Sequence, residues 1–333
     1  MTAATRSPEL ICPAGTPAGL RTAVDAGAHA VYCGFRDETN ARNFPGLNFD
    51  RAELHEGITY AHDRGVKVLV ALNTFMRAGA TGIWKRGVDD AVSAGADALI
   101  LADVALIAYA REAYPWQRLH LSVQAAAATS DAIAFYRETF GIARVVLPRV
   151  LTLEEIDRLT KATAPCETEV FVFGGLCVMA EGRCSLSSYA TGKSPNMTGV
   201  CSPPSHVQYR EDKDTLVASL GGFTIERFAR GEPAGYPTLC KGRFRANGTE
   251  FHLFEDPVSL NAVELLPRLI EVGVSAFKIE GRQRGRAYVA MVVRAFRRAL
   301  DSIAQGREFD VGELRALTEG QNHTTGAYKK TWR

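Results

Sequence analysis

Seven cysteines occur in this chain, and four of them, Cys177, Cys184, Cys201 and Cys240, share one stretch with the spacing C-x6-C-x16-C-x38-C. Thiolates that converge from such distances serve metal binding or redox chemistry. The pattern has neither the paired C-x2-C knuckles of a zinc ribbon nor the tight run of a bacterial ferredoxin. Spacing alone leaves three readings open: zinc, an iron-sulfur cluster, or small buried apolar side chains, a role free cysteine often fills. Cys12, Cys33 and Cys166 lie on or just before apolar runs and read as core thiols.

A second set of residues is polar and falls at or just after the ends of apolar runs: Asn73, Asp103, Gln124, Arg149, Glu280 and Arg282, with Arg36, Asn40 and Arg42 on the loop after the second run. If those runs are strands of one sheet, the set lines a single mouth. Arginine forks grip carboxylates in bidentate fashion, so Arg36, Arg42, Arg149 and Arg282 together suit a small dianionic substrate. Taken singly, each arginine reads as a surface ion pair. Other catalytic signatures fail. There is no G-x-G-x-x-G, and Thr191-Gly-Lys-Ser194 ends like a phosphate loop but has Ser187 where the first glycine belongs. His55-Glu56 and His62 miss the H-E-x-x-H zinc spacing, and no G-x-S-x-G elbow occurs.

The elements that must position these residues announce themselves by a recurring phrase. Val24-Asp-Ala-Gly27-Ala-His-Ala-Val31 returns as Val92-Ser-Ala-Gly95-Ala-Asp-Ala-Leu99 and as Ile270-Glu-Val-Gly273-Val-Ser-Ala-Phe277. Each reads as a helix end, closed by a left-handed glycine, feeding a strand covered on both faces. Apolar runs predict strands near 8–12, 29–34, 67–73, 97–102, 119–123, 144–148, 168–173 and 275–280, with helices between most of them. Eight such units predict an α/β fold, a (β/α)8 TIM-barrel-like architecture, with a doubly wound open sheet as the alternative. Between the seventh and eighth runs, about a hundred residues from Gly174 to Ser275 replace a short connection. The predicted organisation is barrel units one to seven over 1–173, a cysteine-bearing insertion over 174–274, and the last strand, helix and tail over 275–333. The insertion starts at the carboxyl end of a strand, the face on which barrel enzymes build their sites.

Composition narrows the class. The 333 residues are 46% hydrophobic, enough for a large core, and 39 basic against 37 acidic residues give a formal charge of +2. That balance does not favour a nucleic-acid partner. The stretch Met1 to Glu9 lacks an apolar core, and Ala98 to Ala110 is broken by Asp103 and too short to span a bilayer. The expectation is a cytoplasmic protein with no transmembrane segment, in a compartment that keeps thiols reduced.

Glu169-Val-Phe-Val-Phe-Gly-Gly-Leu-Cys177, four residues, then Gly182-Arg-Cys184-Ser-Leu-Ser187 closely resembles the signature of the peptidase U32 family. One position departs: Gly175 stands where the family has serine or alanine. The resemblance extends through Glu9-Leu-Ile-Cys-Pro-Ala-Gly15, Leu147-Pro-Arg149 and Lys278-Ile-Glu-Gly-Arg282, over nearly the whole length. Within the family it is strongest to the branch that serves oxygen-independent ubiquinone biosynthesis. Gly34-Phe-Arg-Asp-Glu-Thr-Asn40-Ala-Arg-Asn-Phe44, Cys177-Val-Met-Ala-Glu-Gly-Arg-Cys184 and Gly235-Tyr-Pro-Thr-Leu-Cys240-Lys-Gly-Arg-Phe244 carry that likeness.

The resemblance implies a 4Fe-4S cluster whose ligands fall on Cys177, Cys184, Cys201 and Cys240. Four thiolates close every iron to substrate, which suits electron transfer or structural support. It further implies the iron-sulfur subunit of an oxygen-independent hydroxylase of ubiquinone precursors, with prephenate, a dicarboxylate, as hydroxyl donor. The implied partner is a second cluster-bearing U32 protein, UbiV-like, in a heterodimer, and a lipid-carrier accessory protein is a further candidate. Two alternatives stay open: a prephenate-dependent hydroxylase of tRNA or ribosomal RNA bases, and a cluster-bearing scaffold or peptidase. The RNA-directed relatives usually carry extra C-terminal domains, whereas this chain stops soon after a helix expected over 285–306. Neither the motifs nor the resemblance assigns a catalytic residue.

Overall fold

Gly27, Gly95 and Gly273, the glycines of the recurring phrase, adopt the left-handed conformation with φ of 103°, 92° and 85°. In each copy the next residue donates back across the glycine to close the helix: Ala28 to the Ala23 carbonyl (3.2 Å), Ala96 to Ala91 (3.1 Å) and Val274 to Leu269 (3.1 Å). This closure satisfies helix-end carbonyls and turns the chain straight into a strand. The start signals are equally local. Thr16 caps the first helix ahead of Pro17, and Asp50 with Glu53 and Thr152 with Glu155 form capping boxes.

A computed structural model describes residues 7–179, 184–195, 200–310, 312–317 and 322–329; Gly182 and Arg183 of the cysteine signature lie outside them. Strands and helices alternate as β1 (Glu9–Pro13), α1 (Pro17–Asp25), β2 (Ala30–Gly34), α2 (Arg51–His62), β3 (Lys67–Leu72), α3 (Gly82–Ser93), β4 (Ala98–Leu101) and α4 (Val104–Ala113). The alternation continues through β5 (Leu119–Leu121), α5 (Ser130–Phe140), β6 (Arg144–Val146), α6 (Leu153–Thr163) and β7 (Glu167–Gly175). After β7 come α7 (Ser185–Thr191), β8 (Val207–Asp212), β9 (Thr215–Leu220), β10 (Phe223–Ala229), β11 (Arg243–Ala246), β12 (Thr249–His252), β13 (Val258–Asn261) and α8 (Leu266–Glu271). The chain then forms β14 (Ala276–Ile279), α9 (Arg286–Ala304), α10 (Gly312–Ala316) and β15 (Asn322–Thr324).

Strands β1 to β7 pair in sequence order, all parallel, and β14 pairs with both β1 and β7. The ring is therefore closed, an eight-stranded parallel barrel, and the open-sheet alternative is excluded. Strand β13 runs antiparallel to β7 and takes β15 as its parallel neighbour, so the wall thickens beside the seventh strand. Between them the chain builds an antiparallel sheet β8–β9–β10 and a hairpin β11–β12.

Strand parity divides the core. Outward-facing residues pack beneath the helices with Trp84, Phe35, Phe173, Phe277 and Phe296 fully buried, each aromatic worth roughly 1.5–3 kcal/mol of transfer free energy. The inward residues of β1 to β4 are mostly small or apolar, including Ile11, Ala30, Leu69, Ala71, Ala98 and Ile100. Strands β6, β7 and β14 instead send charge inward. Glu169, with its side chain fully buried, accepts from Lys278 at 2.6 Å and from Arg144 at 3.4 Å. Charges taken out of water persist only when paired in this way.

Candidate active site at the barrel mouth

The carboxyl ends of the strands meet around Glu280, the residue that follows β14. Arg149, after β6, donates to one of its carboxylate oxygens, and Arg42, on the loop after β2, lies 3.3 Å from the other. The Arg149 guanidinium stacks over the Phe171 ring at 3.5 Å, which fixes its plane as it meets the carboxylate. Burial works to raise the Glu280 carboxyl, but Arg149 and Arg42 outweigh it and hold the group below the usual carboxylate range. Arg282 donates to the Asn40 amide oxygen at 2.9 Å and stands over the Tyr32 ring at 5.4 Å. Its burial pushes the guanidinium down to about 10.

Amides hold this ring of charge. Asn40, completely buried, donates to the Phe35 carbonyl (3.2 Å) and the Asn48 side chain (2.9 Å), so the loop after β2 is folded back over the barrel end. Asn73 accepts from the Ala41 backbone at 3.1 Å and donates to Ser122 at 3.3 Å. Gln124, just past β5, donates its backbone N–H to the same Ser122 hydroxyl. The Gln124 side-chain oxygen is buried and, among the described residues, has no hydrogen-bond partner.

Asn40, Arg42, Asn73, Gln124, Arg149, Glu280 and Arg282 are thus gathered at the strand ends, as their positions implied. Two residues are not. Arg36 turns outward to pair with Glu53 at 2.8 Å and to hold the Leu47 and Asn48 carbonyls, which makes it a brace for the loop. Asp103, just past β4, is occupied by backbone: one oxygen caps α4 by accepting from Ala105 and Leu106, and the other accepts from the Met76 N–H at 3.0 Å.

The cysteines begin where β7 ends. A Cβ built on Gly174, whose φ is 113°, would stand 2.6 Å from the Glu280 carbonyl oxygen, and one on Gly175 would stand 3.3 Å from a Glu280 carboxylate oxygen. Cys177 follows two residues later, so the cysteine stretch starts against the mouth. Cys184 caps α7, its sulfur accepting from the Ser187 N–H at 3.4 Å, while the Ser187 hydroxyl donates to the Cys201 carbonyl. Tyr236 ties the segment before Cys240 to the Ser202 carbonyl at 2.9 Å. Burial raises the Cys240 thiol to about 11, with Cys201 and Cys184 adding to the rise. Burial also raises Cys201, although Arg42 beside it works in the opposite direction. Cys184, Cys201 and Cys240 therefore lie within electrostatic reach of one another.

None of the seven cysteines is joined in a disulfide. Among the described residues no three His, Cys, Asp or Glu side chains are gathered tightly enough to hold a metal ion. The donor set fits an iron-sulfur group, which sulfur donors, an N–H directed at one of them and a cation nearby would hold.

Residues 15–330 match the model of peptidase family U32. The chain belongs to that family. Its relatives include tRNA hydroxylation protein P of Escherichia coli (strain K12), 33% identical over 95% of this chain and 72% of that protein. An uncharacterized protease of Methanocaldococcus jannaschii is 35% identical over 91% of this chain and 67% of that protein. The 23S rRNA 5-hydroxycytidine C2501 synthase of Escherichia coli (strain K12) is 30% identical over 96% of this chain and 43% of that protein.

This U32 chain also holds groups that motif reading passed over. Tyr32, on β2, points into the barrel, donates its hydroxyl to the Ile279 carbonyl at 3.0 Å, and lies between the cations of Lys278 and Arg282. Burial raises its phenol well above the ordinary value, so it stays protonated. Lys278 is pushed down by burial, with Glu169 opposing the fall. Period-two parity was the available signal: Lys278, Glu280 and Arg282 alternate, so the two that reach the mouth imply that the first faces the barrel interior. Among the described residues no helix is long and apolar enough to cross a membrane.

Proposed function

We propose that this chain is the cluster-bearing subunit of an oxygen-independent hydroxylase acting on the aromatic ring of a ubiquinone precursor. The observation that carries the reading is the junction at Gly174 and Gly175, where the arginine-ringed mouth abuts the start of the cysteine stretch. Relatives named for hydroxylating RNA support ring hydroxylation as the shared chemistry. The segments 34–44, 177–184 and 235–244, which resemble UbiU, support the quinone branch of it.

Cys177, Cys184, Cys201 and Cys240 would hold a 4Fe-4S cluster, which supplies single electrons when bound. Arg42 and Arg149 present guanidinium donors at the mouth for a dicarboxylate such as prephenate, the proposed source of the hydroxyl oxygen. Arg149 is held flat by Phe171, and Arg282 is held by Asn40, so their donors are oriented before an anion arrives. Tyr32 and Phe171 contribute ring surfaces next to these cations. The proposed partner is a UbiV-like protein, with a lipid carrier to present the apolar substrate tail, at a cytoplasmic location.

Identity at 33% to a tRNA hydroxylation protein favours a second reading, hydroxylation of an RNA base. One experiment separates the two. A deletion strain grown without oxygen is profiled for quinones and for modified nucleosides. Loss of ubiquinone with unchanged nucleosides is expected. Unchanged ubiquinone with a lost hydroxylated base transfers the assignment to RNA, and no change in either rejects both. Anaerobic purification with iron and sulfide analysis tests the cluster in parallel.

A further inference from the structure

Glu280 and Arg149 are stacked in depth. The Arg149 side chain is 2% exposed and that of Glu280 26%, so Glu280 is the more accessible member of the pair. We propose that Glu280 is a resident counter-anion, occupying the arginine seat of the mouth until the carboxylate of an incoming anionic substrate exchanges with it. The inference rests on reading the mouth as the substrate site.

Three observations carry it. The two oxygens of one carboxylate serve two cations, Arg149 and Arg42, which is the geometry a substrate carboxylate would adopt there. Among the described residues those two arginines are its only hydrogen-bond donors, so no backbone amide pins the side chain in place. Gly175 places no side chain at the position 3.3 Å from the carboxylate, so that residue does not cover it. A direct exchange of one carboxylate for another keeps an anion against the buried guanidinium throughout. The buried, unpartnered oxygen of Gln124 at a nearby strand end offers an acceptor for a hydroxyl on the same ligand.

The test is calorimetric titration of the purified complex, without oxygen, with prephenate and with succinate. Glu280→Gln keeps the shape and removes the competing charge, so both probes should bind about tenfold or more tightly. Adding Arg149→Ala should abolish the gain. Glu280→Asp, still charged but one methylene shorter, should give a smaller gain and guards against a Gln variant that folds poorly. Unchanged or weaker binding by a folded Gln variant overturns the exchange, as does a gain that survives Arg149→Ala. Because affinity and not product is read, these results stand apart from the quinone and nucleoside profiles that judge the hydroxylase reading.

Discussion

Lys278 places its ammonium 2.6 Å from Glu169 in the middle of the barrel, where their side chains are 6% and 0% exposed. Glu169 also receives Arg144 at 3.4 Å, but Glu9 and Glu167 hold that arginine more closely, at 2.6 and 2.5 Å, so Lys278 is the cation that depends on this carboxylate. Removing the carboxylate strands Lys278. Glu169→Gln should therefore lower the unfolding free energy by about 3–5 kcal/mol, the cost of breaking a buried pair. Lys278→Met should cost less, because Glu169 keeps Arg144. Urea denaturation of the two variants measures the difference. Equal losses, or a loss below about 1 kcal/mol for Glu169→Gln, would show that the interior charges are dispensable.

A pH dependence follows from the other end of the same network. Burial works to raise the Glu9 carboxyl, but hydrogen bonds from Lys67 and Arg144 bring it down to about 2 from an ordinary value of 4.5. The folded value is the lower one, so the native state binds this proton less readily than the unfolded chain. Its stabilisation is complete above pH 4.5 and is lost as the pH falls toward 2. Glu9→Gln should flatten that part of the stability profile. Urea midpoints of wild type and variant should converge as the pH is lowered through that window. A constant difference between them would refute the assignment.

Much of this arrangement is legible in the residues themselves. The glycine phrase marks helix ends because the left-handed closure is a local event, fixed within six residues. All eight barrel strands stand where apolar runs place them, although their ends shift by a residue or two. Asp103 and Arg36 were harder, because a polar residue at a strand end can cap a helix or brace a loop as readily as it can line a mouth. Only the third dimension separates these roles. The interior charges were hidden for a different reason: Lys278 lies far from Arg144 and Glu169 in sequence, and it meets Glu169 only once β14 closes the ring. The Arg149–Phe171 stack likewise depends on strand register, which composition does not carry.

The two glycines at the end of β7 should respond differently to the same methyl group. Gly174 has a φ of 113°, and its added Cβ would enter the Glu280 backbone at 2.6 Å. Strain of this kind costs on the order of 1–3 kcal/mol before the clash is counted. Gly175 lies at an ordinary φ, and its added Cβ would only press on the Glu280 carboxylate at 3.3 Å. Gly174→Ala should thus reduce thermal stability and disturb the mouth, whereas Gly175→Ala should fold normally. Paired melting curves decide the matter, and equal behaviour of the two variants would contradict the geometry.

Ser187 permits a test of the cysteine centre that leaves every thiol in place. Its N–H donates to the Cys184 sulfur and its hydroxyl to the Cys201 carbonyl, so it holds two of the proposed ligands in register. An N–H directed at a ligating sulfur stabilises the thiolate and tunes the metal centre it belongs to. Cys201→Ala and Cys240→Ser each delete a proposed ligand and should yield folded protein that is colourless and poor in iron when purified without oxygen. Ser187→Ala retains the four thiols and the backbone N–H but loses the hydroxyl clamp, so iron content should fall only in part. Iron and sulfide per chain, with the visible and electron paramagnetic resonance spectra, form the readout. A Cys201→Ala protein that keeps full iron and its brown colour would remove that residue from the coordination shell. If the wild type itself carried no iron under these conditions, the cysteine stretch would be left with a structural role alone.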